Sequence, residues 1–168
     1  MSTNMTVFHA VLLLATFLCS LVAGLLFAFA VVVMPGIRSL DDGDFIRAFR
    51  TMDRVIQNNQ PLFVLVWVGS VLLLVAAAVL GMREPGVTDR LLVIIAALVY
   101  VTGVQLPTVT INVPLNNALK KLDPSTMNEA TCKRARDNFE TPWNRWNVFR
   151  TVCAGIVSIL LLLVLLRV

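Results

Sequence analysis

Four stretches of this chain carry no Asp, Glu, Lys or Arg: residues 7–34, 62–82, 91–119 and 151–166. A helix needs about 20 apolar residues to cross roughly 30 Å of hydrocarbon, and the first three stretches reach that length. The fourth is shorter, but gains a turn if Val148 and Phe149 enter the membrane and Arg150 snorkels or pairs. A single such stretch could equally be a buried core helix. Four of them in 168 residues leave too little polar sequence to cover them, because only 14% of residues are charged against about 25% in soluble domains. The pattern predicts an all-α integral membrane four-helix bundle. It forms a single domain over residues 1–168, with helices near 7–34, 62–82, 91–107 and 148–167. The first run follows a segment without a basic residue, so it is expected to be a retained helix rather than a signal peptide.

The polar residues between these runs order the chain. Pro35-Gly36 is expected to end the first helix. Asp41-Asp42-Gly43-Asp44 is a turn and N-cap signal. After it Phe45, Ile46, Phe49, Met52 and Ile56 recur at helical spacing, which predicts a short amphipathic helix over residues 44–58, lying along the membrane surface. Asn58-Asn59-Gln60-Pro61 breaks that helix and starts the next. Pro85-Gly86 marks a tight link to the third.

Basic residues are divided unevenly. The loop between the first two membrane helices has four, and the loop before the fourth helix, with its membrane edge, has seven. Together that is eleven of the fourteen in the chain. The positive-inside rule places both loops in the cytoplasm and both termini outside; in a bacterium the protein would be a multi-pass inner-membrane protein. Cys19, Cys132 and Cys153 have no metal-ligand spacing and read as structural thiols.

Two polar clusters interrupt the apolar sequence. In the third run Gln105, Pro107, Thr108, Thr110, Asn112, Pro114, Asn116 and Asn117 follow in quick succession. Two prolines kink or break a helix, and freed backbone and amide groups are tolerated at membrane depth only against protein or a wet cavity. This segment is expected to line an interior pocket or its mouth; the alternative is a helix that ends at Leu106 and a polar loop. The second cluster is residues 140–150. Pro142 suits a first helical turn, after which Trp143, Trp146, Asn147 and Arg150 share a face. An interfacial anchor explains the tryptophans but not Asn147 on the same face. Arg150 is expected to pair with Asn112, Asn116 or Glu140. A buried amide left alone costs about 1–3 kcal/mol. The two clusters are therefore expected to meet, with Asn112 or Asn116 in reach of Arg150, Asn147 or Trp146.

The chain resembles the anthrone oxygenase family of small four-helix membrane proteins. The resemblance lies in residues 23–29 (AGLLFAF) with 33–36 (VMPG), in 111–119 (INVPLNNAL) and in 143–151 (WNRWNVFRT). One departure is the segment Met52-Asp53-Arg54, where the family pattern would have an Asn at 53 or 54. The resemblance implies oxidation of an anthrone to an anthraquinone by O₂, with no metal, flavin or other cofactor. Such a substrate supplies its own electrons once it is deprotonated to the enolate. The protein then needs a flat apolar pocket, aromatic walls, a base and donors for the enolate oxygen. Trp143 and Trp146 are candidates to stack on fused rings, with Asn112, Asn116 and Asn147 as further binding residues. Arg145 and Arg150 are candidate donors. Glu140, Asp137 and His9, the sole histidine, are candidate bases. Three function classes stay open: an oxygenase of a hydrophobic polycyclic or phenolic substrate, a binder or transporter of a lipophilic molecule, and a scaffold for a partner. No charge lies mid-helix, which argues against an ion relay. The expected partners are the lipid bilayer and a hydrophobic small molecule, with no nucleic acid; oligomeric state is left open.

Overall fold

The computed structural model describes residues 7–83 and 86–167, so the expected tight link at Pro85 lies outside the described residues. The described residues form five helices: α1 (Val7–Arg38), α2 (Asp42–Gln57), α3 (Pro61–Gly81), α4 (Val87–Lys120) and α5 (Glu129–Leu165). All but α2 are long and apolar enough to cross a membrane. The chain is an integral membrane protein built as a helical bundle. Its outer surface shows why: Leu13, Phe17, Val32, Leu65, Leu72, Leu98 and Ile159 are all exposed, a coat of apolar side chains that only lipid satisfies.

Consecutive spanning helices run antiparallel. α1 packs on α3 and α5, and α4 packs on α5 and α3. The shared core is small and tightly stacked, with Leu12, Cys19, Ala96, Val104, Val157 and Leu161 fully buried. Close approach is bought with glycine. A Cβ on Gly103 would stand 2.7 Å from the Cys153 sulfur, so α4 and α5 touch almost backbone to side chain there. Ser70 and Tyr100 share a buried hydrogen bond of 2.7 Å between α3 and α4.

Three helix boundaries depart from the sequence-based expectation, and proline is involved each time. Pro35 does not end α1, which continues to Arg38. Pro107 and Pro114 neither break α4 nor release a loop; the helix runs on to Lys120. Pro142 lies in the interior of α5, which begins at Glu129 rather than near residue 148. For the first three prolines the accommodation is the same. Met34, Leu106 and Val113, each just before a proline, donate five residues back, to the carbonyls of Phe29, Val101 and Thr108. The proline ring clashes with a carbonyl one turn earlier and disfavours tight α geometry in its predecessor. One widened π turn relieves both without ending the helix, and such turns cluster at functional sites.

Helix α2 closes the end of the bundle that carries the 1–2 and 3–4 loops. Asp41 caps it, accepting from the Asp44 amide at 2.8 Å, which is worth about 1 kcal/mol. Its apolar face does not lie on lipid. Phe45, Ile46 and Phe49 are buried against Met34, Leu119, Phe139 and Trp143 from the ends of α1, α4 and α5. Phe49 meets Phe139 edge-on at 4.5 Å and Trp143 at 5.3 Å. Arg136 locks the arrangement. It donates to the carbonyls of Arg38 (2.8 Å) and Leu40 (2.9 Å) at the end of α1, to Glu140 at 2.7 Å, and lies 4.4 Å over the Phe45 ring. A cation on the last carbonyls of a helix also answers the negative end of its dipole.

Candidate functional site

Between α2 and the loop-side half of the bundle lies a cleft of about 170 Å³. Its walls are apolar: Leu25, Leu26 and Phe29 from α1, Phe49 and Ile56 from α2, Phe63 and Trp67 from α3, Val113 from α4 and Trp143 from α5. Six polar side chains complete the lining: Asp53, Thr108, Asn112, Asn116, Asn147 and Arg150. The π turns bear directly on it. Phe29 opens one, and Thr108 and Asn112 are the first and last residues of another. The inserted residue turns α4 so that Thr108, Asn112 and Asn116 point down one face into the cleft.

The polar groups fall into two sets joined at Trp143. In the outer set, the indole N–H of Trp143 donates to Asn116 Oδ1 at 2.8 Å. Asn116 Nδ2 donates to Asp53 Oδ1 at 2.8 Å, Gln57 Nε2 donates to Asp53 Oδ2, and Lys120 donates to Gln57 Oε1 at 2.7 Å. In the inner set, Arg150 donates to Thr108 Oγ1 at 2.9 Å and to Asn147 Oδ1 at 3.0 Å. Asn147 Nδ2 donates to the Leu26 carbonyl at 3.1 Å, which ties α5 to α1. Asn112 Nδ2 makes a long 3.4 Å contact to the Trp143 carbonyl. Two buried polar atoms of the cleft lining, Asn112 Oδ1 and Arg150 Nε, have no partner. An unfilled acceptor on α4 and an unfilled donor on α5 are groups that a ligand offering both could satisfy.

Arg150 is nearly inaccessible, at 4% exposure. Among the described residues no carboxylate lies within ion-pair distance of it. Its expected pairing with Asn112, Asn116 or Glu140 is replaced by Thr108 and Asn147, with the Trp143 ring 5.9 Å from the guanidinium carbon. The two polar clusters do meet, through the Arg150–Thr108 hydrogen bond and through the backbone carbonyl and indole N–H of Trp143.

Five of the ten candidate residues line the cleft: Asn112, Asn116, Trp143, Asn147 and Arg150. The other five lie off it. Trp146 is half-buried and packs edge-on against Phe149 at 5.5 Å; at 100° per residue it stands about 60° around the helix from Trp143. Arg145 is exposed. Glu140 is taken up by Arg136, with Arg38 at 3.9 Å. His9 sits at the opposite end of α1, sixteen residues before Leu25, or about 24 Å along the axis. Asp137 forms an exposed ion pair with Lys133.

The carboxylate that does face the cleft is Asp53, 7% exposed. Burial raises its pKa above the usual carboxyl value, opposed by hydrogen bonds from Asn116 and Gln57 and by the charge of Lys120. In the sequence Asp53 stood out only within the segment that departs from the family pattern. The signal that could have found it was the four-residue spacing from Phe49, which puts both on one side of the helix. Phe63 and Trp67, stacked at 5.5 Å, were hidden in an unbroken apolar run.

The anthrone oxygenase family profile matches residues 49–160, two thirds of the chain. The chain belongs to the anthrone oxygenase family. No curated protein and no solved structure matches it. The matched region of this anthrone oxygenase family protein contains all six polar side chains of the cleft and excludes α1, which contributes only apolar wall.

Proposed function

We propose that this protein is a membrane-embedded oxygenase that oxidises a flat, hydrophobic, anthrone-like phenolic substrate with O₂. The observation that carries the reading is the cleft itself. Aromatic side chains from α1, α2, α3 and α5 line it, and two of its lining residues carry an orphaned guanidinium N–H and an orphaned amide oxygen. A planar ketone lying against Trp143 and Trp67 would place its oxygen toward Arg150. That guanidinium would then stabilise the enolate oxygen as negative charge develops. Phenolic hydroxyls on the same edge would donate to Asn112 Oδ1. The substrate furnishes the electrons and O₂ is the oxidant. The balance is a ring CH₂ plus O₂ going to a ring C=O plus water. The family supports the reaction class, and the apolar walls support a substrate delivered from the bilayer.

The purified protein in detergent is given an anthrone under O₂, and quinone absorbance and O₂ uptake are followed together. Equimolar quinone formation and O₂ consumption well above the protein-free rate is the expected result. A rate equal to the protein-free control, with the ligand nonetheless bound, would leave a binding protein instead.

The cleft end of the bundle is read as cytoplasmic. Arg136 and Arg150 have side chains largely buried in the fold, yet nine basic residues remain on that side against Arg83, Arg90 and Arg167 on the other. A C-terminal reporter that reads cytoplasmic would reverse this orientation.

A further inference from the structure

We propose that Asp53 is the catalytic base of the cleft, and that its protonation is set from the aqueous side of α2 rather than from the membrane. The proposal rests on the oxygenase reading above. Asp53 is the one carboxylate lining the apolar cleft among the described residues. It also lines a second cavity, of about 390 Å³, on the loop side of the same helix. That outer cavity is walled by Arg47, Arg50, Arg54, Lys120 and Asp123. Asp53 is therefore the residue shared by an apolar cleft and a basic outer cavity.

The local chemistry suits a base. Asn116 and Gln57 each donate to one carboxylate oxygen. A carboxylate oxygen carries two lone pairs, so each retains one for a substrate proton. The charged groups around it are few. Lys120 on α4 acts through Gln57. Arg50 and Arg54 stand on its own helix, and Arg47 is held by Asp44 at 2.6 Å. Asp123 lies across the outer cavity, and Arg150 is the charge on the inner side. No other carboxylate in the cleft competes for the proton.

A C–H bond of the ring CH₂ breaks, its electron pair becomes the enolate, and the proton bonds to Asp53. The enolate passes one electron to O₂, and the two radicals join to form a carbon–oxygen bond. The resulting peroxide anion takes a proton back, and loss of the second C–H proton with the outer oxygen as water leaves the quinone. One O₂ is consumed and no net proton is released.

Base and oxygenase roles separate when O₂ is withheld. Wild type, Asp53→Asn and Lys120→Met are mixed with an anthrone under nitrogen. Binding is read by tryptophan quenching and enolate by its visible absorbance; O₂ is then admitted. The expected result is enolate on wild type and a rate at least about 100-fold slower on Asp53→Asn, the usual worth of a general base, at near-equal affinity. Lys120→Met should keep the reaction but move the acid limb of its pH profile to higher pH. Enolate formed equally fast on Asp53→Asn, or a bound anthrone that never ionises on wild type, overturns the proposal. An unshifted Lys120→Met profile overturns its aqueous control. Enolate that forms but yields no quinone with O₂ overturns the oxygenase reading and leaves the base in place. An anthrone that does not bind overturns both.

Discussion

Trp143 donates its indole N–H to Asn116 at 2.8 Å, across the seam between α5 and α4. The contact joins the two polar clusters of the sequence. It also fixes the Asn116 amide, whose oxygen must face the indole so that its nitrogen faces Asp53. One side chain thus holds an aromatic wall and a carboxylate in register.

Replacing Asn116 with Leu should therefore cost more than one hydrogen bond. It orphans the Trp143 N–H and removes a donor from Asp53, and each buried unsatisfied group costs about 1–3 kcal/mol. Asn116→Asp is the informative comparison, because it keeps an acceptor for Trp143 but faces Asp53 with a second acid. We expect Asn116→Leu to lower the thermal midpoint in detergent, and Asn116→Asp to lower it mainly above the carboxyl titration range. A neutral Asn116→Leu would mean that water already serves both groups.

Asp53 gives the fold a pH dependence of defined sign. Its pKa is raised above 3.8, first by burial. A raised carboxyl pKa means the folded protein holds the proton more tightly than the unfolded chain. The stability this contributes is fully present below pH 3.8 and is lost as pH rises through the folded value. Asp53→Asn removes the penalty. The mutant should gain on wild type as pH rises across that window, and keep a constant advantage above it. An advantage that shrinks with rising pH would mean that Asp53 is a stabilising anion instead. A more stable but inactive variant is the expected signature of a strained functional group.

The bundle was legible in the sequence because charge-free length is a direct consequence of bilayer thickness. The cap at Asp41 and the break at Gln60-Pro61 were legible because they rest on local chemistry. The helix boundaries at Pro35, Pro107 and Pro142 were not, since whether a proline ends a helix depends on whether a π turn or a packed neighbour can absorb it. Part of the site was hidden as well. An i, i+3 pair on a regular helix is offset by about 60°, so simple spacing grouped Trp146 with Trp143, although Trp146 packs on Phe149 instead. Asp53 was hidden because α2 docks on protein rather than lipid, which turns a nominally solvated carboxylate into a buried one.

Two glycine substitutions should act with opposite sign. Gly103→Ala would place its Cβ 2.7 Å from the Cys153 sulfur and 2.9 Å from the Cys153 Cβ. Overpacking of this kind costs about 1–3 kcal/mol, and Cys153→Ala should recover part of it by removing the sulfur. Gly24→Ala meets nothing within 4 Å and exchanges a poor helix former for the best, a gain of up to about 1 kcal/mol. Thermal unfolding of the three variants checks this. A Gly103→Ala protein as stable as wild type would show that α4 and α5 can separate without penalty.

Arg150 should matter for binding far more than for stability. It is buried with two neutral partners, Thr108 and Asn147, and a third N–H with none. Removing a desolvated charge that lacks a counter-charge returns its burial cost, while orphaning Asn147 Oδ1 takes back about 1–3 kcal/mol. The terms oppose each other, so Arg150→Met, which fills most of the same volume, should unfold within about 1–2 kcal/mol of wild type. Ligand affinity has no such compensation. If the free N–H receives a ketone or enolate oxygen, its loss should weaken binding of an anthrone at least tenfold, or about 1.4 kcal/mol. Arg150→Lys tests the geometry, because it keeps the charge but not the planar donor fork; it too should bind weakly. The measurement is quenching of tryptophan fluorescence, since Trp67 and Trp143 both line the cleft. Wild-type affinity in Arg150→Met would take the guanidinium out of the site and leave it a structural link between α5 and α4.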